Sequence, residues 1–198
     1  MNKLITIIGP SGIGKTALVR ALAKTSRFET AFEQHAERPF QALAKQDARF
    51  TLANQMDYLL LRAEQEKQLR DSSKTGLMDG GLDLDFHGFT RLFLSRNLLS
   101  QNEFDLCRRF YHITRELLPP PELIVHLKAD EETVTGRLSR RKRINIANAE
   151  DTALFNSFLD EWLAGLSPGQ ILELDVTNET LEYNRSTEVI LYRVSQLK

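Results

Sequence analysis

The 198-residue sequence predicts an α/β fold in which helices cover both faces of a parallel sheet. Three observations lead there. Short runs rich in Ile, Leu and Val recur along the chain, turn-forming residues precede three of them, and the segments between are long enough for helices. Composition sets bounds on the function. The 26 basic and 27 acidic residues nearly cancel, which argues against a general polyanion binder and so against a nucleic-acid partner. One cysteine, Cys107, cannot form an intrachain disulfide and fits a reducing compartment. The four histidines show no zinc-ligand spacing. No apolar stretch approaches the ~20 residues of a membrane span, and the run at Leu4–Ile8 is too short for the apolar part of a signal peptide. The expectation is a cytoplasmic chain with one domain over residues 1–198 and no membrane partner.

Taken in order, Leu4–Ile8 reads as a buried strand. Residues 16–25 carry strong helix formers, and residues 48–70 place Leu52, Met56, Leu59, Leu60 and Ala63 at helical spacing. The turn Asp71–Gly76 introduces a strand at Leu77-Met78, and residues 82–98 and 101–117 read as two further helices. Pro119–Glu122 introduces the strand Leu123–Leu127. Asp130 reads as a helix N-cap with Glu131 and Glu132 in the first turn and Arg140, Arg141 and Arg143 at the far end, which suits the helix dipole at both ends. A helix over 149–165, the strand Ile171–Asp175 after the turn Ser167–Gln170, and a helix over 181–196 complete the chain.

One local motif is specific. Gly9-Pro10-Ser11-Gly12-Ile13-Gly14-Lys15-Thr16 satisfies G-x-x-x-x-G-K-[ST], follows a predicted strand and opens a predicted helix. Its glycines let successive N–H groups converge on phosphate oxygens, and the helix N-terminus adds partial positive charge. Lys15 is placed to reach the β- and γ-phosphates and Thr16 to offer its hydroxyl to Mg²⁺. The fold class sharpens to a P-loop NTPase, a three-layer α/β/α sandwich on a five-stranded parallel sheet. The motif names the nucleotide and leaves the reaction open among a small-molecule kinase, an NTPase motor or switch, and a nucleotide-sensing module. No Asn-Lys-x-Asp tetrapeptide marks a GTPase, and no apolar strand ends in Asp-Glu as a motor ATPase requires. At this length a small-molecule kinase fits best.

Beyond the loop, further segments fall in an order that resembles the deoxynucleoside kinase family, with the thymidylate kinases as sister group. In Phe32–Phe40, which corresponds to the stretch after the family's second strand, Glu33 matches a glutamate whose implied role is general base on the acceptor hydroxyl; Gln34 stands where the family has proline. In Asn54–Arg62, Gln55 and Arg62 lie nearly two turns apart on one helical face. The resemblance implies that they reach the acceptor base, with Tyr58 between them as a further substrate contact. In Met78–Asp85, Asp79 matches an acid near Mg²⁺ and the transferred group, and Asp85 matches an aspartate that helps hold the base. Gly80 stands where the family has an arginine, so another arginine, Arg38 or one from the lid, is expected to supply that charge. The segment at about 130–148 resembles the family's lid. Arg137, Arg140 and Arg141 share a helical face, and Arg137, Arg141 and Arg143 best match the lid's spacing over the ATP phosphates; Ile144-Asn145-Ile146 replaces a glutamate pair that meets the sugar. Leu174–Asn178, with Asp175, resembles the loop that touches the donor adenine.

The resemblance implies transfer of the ATP γ-phosphate to the 5′-hydroxyl of a deoxynucleoside. Lys15, Glu33, Asp79, Arg137 and Arg141 carry that chemistry, and Thr16 and Asp79 serve Mg²⁺. It also implies a homodimer through helices beside the acceptor site. Two alternatives stay open here: a kinase for a nucleoside monophosphate, for whose extra phosphate Arg38 and Arg91 are the candidates, and a member that binds ATP without transferring phosphate.

Overall fold

The computed structural model describes residues 2–25, 27–32, 38–139 and 149–197. Five strands form one parallel sheet: β1 (Leu4–Ile8), β2 (Phe28–Ala31), β3 (Thr75–Asp79), β4 (Leu123–Lys128) and β5 (Ile171–Asp175), in the spatial order β2-β3-β1-β4-β5. Every residue of β1 is buried because both faces of this central strand are covered. Side chains alternate between the two faces. Ile5 and Ile7, with Leu123, Val125 and Leu127 of β4, meet Leu18, Val19 and Leu22 of α1 (Lys15–Ala23) and Ile190 of α9 (Asn184–Ser195). Ile8 and Ile124 face the other way, onto Phe155, Leu159 and Leu163 of α8 (Ala149–Ala164).

Strands β1, β4 and β5 and the expected helices over 101–117 and 149–165 match the sequence reading to within a residue or two. The differences have physical reasons. Strand β2 escapes the apolar pattern because it is a four-residue edge strand with only Phe28 buried. Strand β3 is longer than Leu77-Met78, since Thr75 and Gly76 pair with β2 and β1 as well. A short helix α2 (Gln41–Gln46) and a 3₁₀ turn at Ala48–Phe50 lead into α3 (Thr51–Asp71).

The expected helix over 82–98 is interrupted. It runs as α4 (Leu82–Leu84), a π turn at Asp85–Thr90 and α5 (Arg91–Ser95), and it ends in a turn with Asn97 at φ 55°. The widened turn frees the Asp85 carbonyl to accept from Thr90 Oγ1 (3.0 Å) and from Gln55 Nε2 (3.1 Å), as such bulges often do beside functional sites.

The next helix, α6 (Gln101–Leu117), opens with a capping box. Ser100 Oγ accepts from the Glu103 N–H, and the Glu103 carboxylate accepts from the Ser100 N–H. Asp130 caps α7 (Glu131–Ser139) as expected, accepting from the Thr133 N–H at 2.7 Å, and α9 starts three residues later than expected, after Tyr183 at φ 51°. Because all five strands are parallel, the ends of β1, β3, β4 and β5 open on one edge, where Gly9, Asp79, Ala129 and Asp175 lie.

Candidate active site

The phosphate loop joins β1 to α1. Gly14 caps α1 at φ 114°, and a Cβ there would run into the Tyr183 hydroxyl, so glycine is required on two counts. Lys15 folds back over the loop, its Nζ donating to Gly9 O (2.9 Å) and Pro10 O (3.0 Å). Thr16 Oγ1 donates to Asp79 Oδ2 at 2.5 Å. Asp79 is fully buried at the end of β3, and its other oxygen, Oδ1, has no hydrogen-bond partner among the described residues. An orphaned buried carboxylate oxygen beside a threonine hydroxyl and a phosphate loop suits Mg²⁺, which takes one or two protein oxygens and completes its shell with phosphate and water.

The expected acceptor side is built from α3 and the residues after β3. Gln55 and Arg62, expected on one face, are both buried and both grip Asp85. Gln55 Nε2 holds the Asp85 carbonyl and Thr90 Oγ1 (2.8 Å), and Arg62 Nε holds the carboxylate at 2.9 Å. Arg62 Nη1 also donates to Gln65 Oε1 at 3.1 Å, and Gln65 Nε2 reaches the Phe32 carbonyl at the end of β2. Tyr58 is half-buried one turn from Gln55. Gly80 adopts φ 80°, and Arg62 Nη2 stands 3.2 Å from where its Cβ would be. Among the described residues, the arginine beside Gly80 is therefore Arg62, a candidate besides the expected Arg38 and lid arginines. Arg38 instead forms a two-pronged pair with Asp57 on α3 (2.6 and 2.5 Å), which raises its pKa chiefly through those bonds. Arg91 likewise pairs with Glu161 at 2.6 Å and lies over the Phe158 ring.

Arg137, expected over the phosphates, is turned to main-chain oxygens. It donates to Ile13 O in the loop (2.7 Å), Val176 O (2.8 Å) and Glu179 O (3.5 Å), and so ties α7 to the phosphate loop and the segment after β5. Asp175 lines a cleft of about 340 Å³ with Asn178, Glu179, Thr180, Asn184 and Arg185, next to the loop expected to meet the donor base. The Thr177 N–H and hydroxyl beside Asp175 hold its carboxyl below the usual range. Glu33, Arg140, Arg141 and Arg143 lie outside the described residues.

Sequence reasoning passed over Gln65, Thr90 and Tyr183. Gln65 carried a signal, being three residues beyond Arg62 on the same face. Thr90 and Tyr183 had none, since a π turn and a positive φ brought them in.

Residues 5–197 match the family model for deoxynucleoside kinase. The "Deoxyadenosine/deoxycytidine kinase" of Bacillus subtilis (strain 168) is 20% identical over 203 residues, covering 99% of this chain and 93% of that protein. The "Deoxyguanosine kinase" of the same organism is 28% identical over 141 residues, 70% of this chain and 67% of that protein. Among solved structures, deoxyadenosine kinase from M. mycoides with products dCMP and a flexible dCDP superposes with TM-score 0.80 at 19% identity, covering 97% of this chain and 98% of that one. The same enzyme with bound dATP gives TM-score 0.78 at 19% identity, over 98% and 100% of the two chains. A family match over residues 5–197, on top of a phosphate loop at the ends of the central strands, places this chain in the deoxynucleoside kinase family as an ATP-dependent nucleoside phosphotransferase.

Proposed function

We propose that the chain transfers the ATP γ-phosphate to the 5′-hydroxyl of a deoxynucleoside bound between α3 and the turn after β3. One observation carries this reading: consecutive residues join the two halves of the site, Asp79 accepting from Thr16 of the phosphate loop and Gly80 leaving room for Arg62 of the acceptor side, whose Nη2 lies 3.2 Å from where a Cβ would be. A donor phosphate in the loop and an acceptor held by Gln55, Arg62, Asp85 and Tyr58 then meet at the end of β3.

In this mechanism the loop N–H groups cradle the donor phosphates, and Lys15 exchanges two carbonyl partners for phosphate oxygens. Thr16 and Asp79 hold Mg²⁺, which when bound neutralises charge on the donor phosphates. Glu33 takes the proton of the 5′-hydroxyl as its oxygen bonds to the γ-phosphorus and the bond to the ADP oxygen breaks. Arg137, Arg141 and Arg143 belong to a lid over the donor at about 130–148, in which Arg137 steadies the loop through the Ile13 carbonyl. Asp175 borders the donor base. A monophosphate acceptor would need a second phosphate clamp, and Arg38 and Arg91 are both held in ion pairs.

The same reading places the chain, as one domain, in the cytoplasm; among the described residues no helix is long and apolar enough to cross a membrane. It also pairs two copies through α6, whose exposed Leu106, Ile113 and Leu117 lie on one helical face. Ile113→Glu should convert a sedimenting dimer to monomer.

The activity test is direct. The protein is incubated with ATP, Mg²⁺ and each of the four deoxynucleosides, and ADP and products are quantified. The expected result is one deoxynucleoside 5′-monophosphate per ADP, lowered at least about 100-fold in Asp79→Asn. ADP release without monophosphate, or turnover with monophosphate acceptors alone, would overturn the reading.

A further inference from the structure

Next to the Arg62–Asp85 pair lies a second charged link that no step above uses. Arg115, on α6, places its guanidinium between Glu66 of α3 and Asp83 of α4. Nη1 and Nη2 donate to Glu66 Oε1 and Oε2 at 2.8 and 3.0 Å. Nε and Nη2 donate to Asp83 Oδ1 and Oδ2, both at 2.9 Å. Glu66 is fully buried, and the side chains of Asp83 and Arg115 are 7% and 11% exposed. Glu66 has a second cation in Arg70 (3.4 Å), while among the described residues Asp83 has only the neutral Tyr111 hydroxyl (2.8 Å) besides Arg115.

The placement matters because the two carboxylates sit on the two walls of the acceptor site. Glu66 is one helical turn beyond Arg62, and Asp83 lies between Asp79 and Asp85. One planar guanidinium with both carboxylates in two-pronged contact fixes the distance and angle between the walls. We propose that Arg115 is a positioning residue for phosphoryl transfer: it sets the spacing of α3 from the Asp79–Asp85 segment, and through it the geometry in which Gln55, Arg62 and Asp85 receive the deoxynucleoside. This rests on the acceptor assignment made above. On the donor side, Lys15 and Arg137 donate to carbonyls of the loop and of the segment after β5.

Removing Arg115 leaves two buried carboxylates facing each other, and the uncompensated one is Asp83. Arg115→Met should therefore raise the deoxynucleoside KM about tenfold while the ATP KM stays within about twofold, the split expected when one wall of one substrate site shifts. Adding Asp83→Asn removes the orphaned charge, and the double variant Arg115→Met/Asp83→Asn should recover at least half of the logarithmic loss. Arg115→Lys, which keeps the charge but not the two-pronged span, covers a methionine variant that does not fold; it should raise the deoxynucleoside KM about threefold at unchanged ATP KM.

A fall in apparent kcat that follows the folded fraction, with both KM values unchanged, would make Arg115 merely structural and overturn the proposal. So would a double variant no better than Arg115→Met. Wild-type protein that phosphorylates no deoxynucleoside would instead remove the acceptor assignment itself, an outcome read before any variant is made.

Discussion

The proposed donor and acceptor halves of the site are held by different kinds of partner. On the donor side, among the described residues, Lys15 donates to the main-chain oxygens of Gly9 and Pro10, and Arg137 to those of Ile13 and Val176. On the acceptor side the cations rest on buried carboxylates: Arg62 on Asp85, Arg115 on Glu66 and Asp83. A cation that leaves a carbonyl gives up a neutral partner that a phosphate oxygen more than replaces. A cation that leaves a buried carboxylate strands a charge in low dielectric. The donor half can therefore rearrange around its nucleotide, whereas the acceptor half is set before the nucleoside arrives. Each prediction below would break or sharpen that contrast.

The largest effect belongs to the donor half and to turnover. Lys15→Ala should lower kcat at least about 10³-fold by removing a charge that stabilises the transferring phosphoryl group. Thermal stability and calorimetric deoxynucleoside affinity should stay close to wild type, because the Gly9 and Pro10 carbonyls that Lys15 meets are neutral groups. A large drop in acceptor affinity would erase the division between the halves.

The acceptor half should respond in the opposite way. Arg62→Met leaves Asp85 buried without its guanidinium, and urea unfolding should show a loss of about 3 kcal/mol. A loss under about 1 kcal/mol would mean that the pair is solvated enough to move, and the acceptor half would not be preset.

Acid should also weaken the acceptor half. His87 stacks on Trp162 and contacts the Tyr111 hydroxyl at 3.1 Å, and burial, opposed in part by Asp83, lowers its pKa to about 4. The unfolded chain takes up that proton near pH 6.5 and the folded chain only near pH 4. Stability is then complete above pH 6.5 and falls as the pH drops, by about 2 kcal/mol between pH 7 and pH 5. His87→Gln should flatten this slope in melting curves taken across that range; an unchanged slope would assign it to other groups.

The same contrast explains how much could be read from the sequence. The donor half is a contiguous eight-residue motif on a central strand, and both its chemistry and its place are visible in one line of text. The spacing of Gln55 and Arg62 was legible as well, because a helix puts them on one face. What they grip was not: Asp85 is met through a π turn that breaks an apparently continuous helix. Arg115 was hidden for a related reason. Its partners lie 49 and 32 positions away, and charge pattern along a chain does not report burial across elements. Strand β2 shows the limit for the fold, since an edge strand of Phe28-Glu29-Thr30-Ala31 needs no apolar run.

The smallest effect tests Gly80, where the resemblance implied an arginine. If position 80 were a simple vacancy, Gly80→Arg would restore the missing charge and raise turnover. The geometry argues otherwise. The backbone there has φ 80°, which costs an L-residue about 1–2 kcal/mol. Its Cβ would lie 3.2 Å from Arg62 Nη2, so a second guanidinium would start beside the first. Gly80→Ala should lose about 1 kcal/mol of stability from the backbone alone. Gly80→Arg should lose somewhat more, with the increment shrinking in high salt as the Arg–Arg repulsion is screened. Turnover should not exceed wild type in either variant. A rise in Gly80→Arg turnover would show that the acceptor half can reorganise around a new cation as the donor half does, and the contrast between the two halves would then be one of residue choice rather than of rigidity.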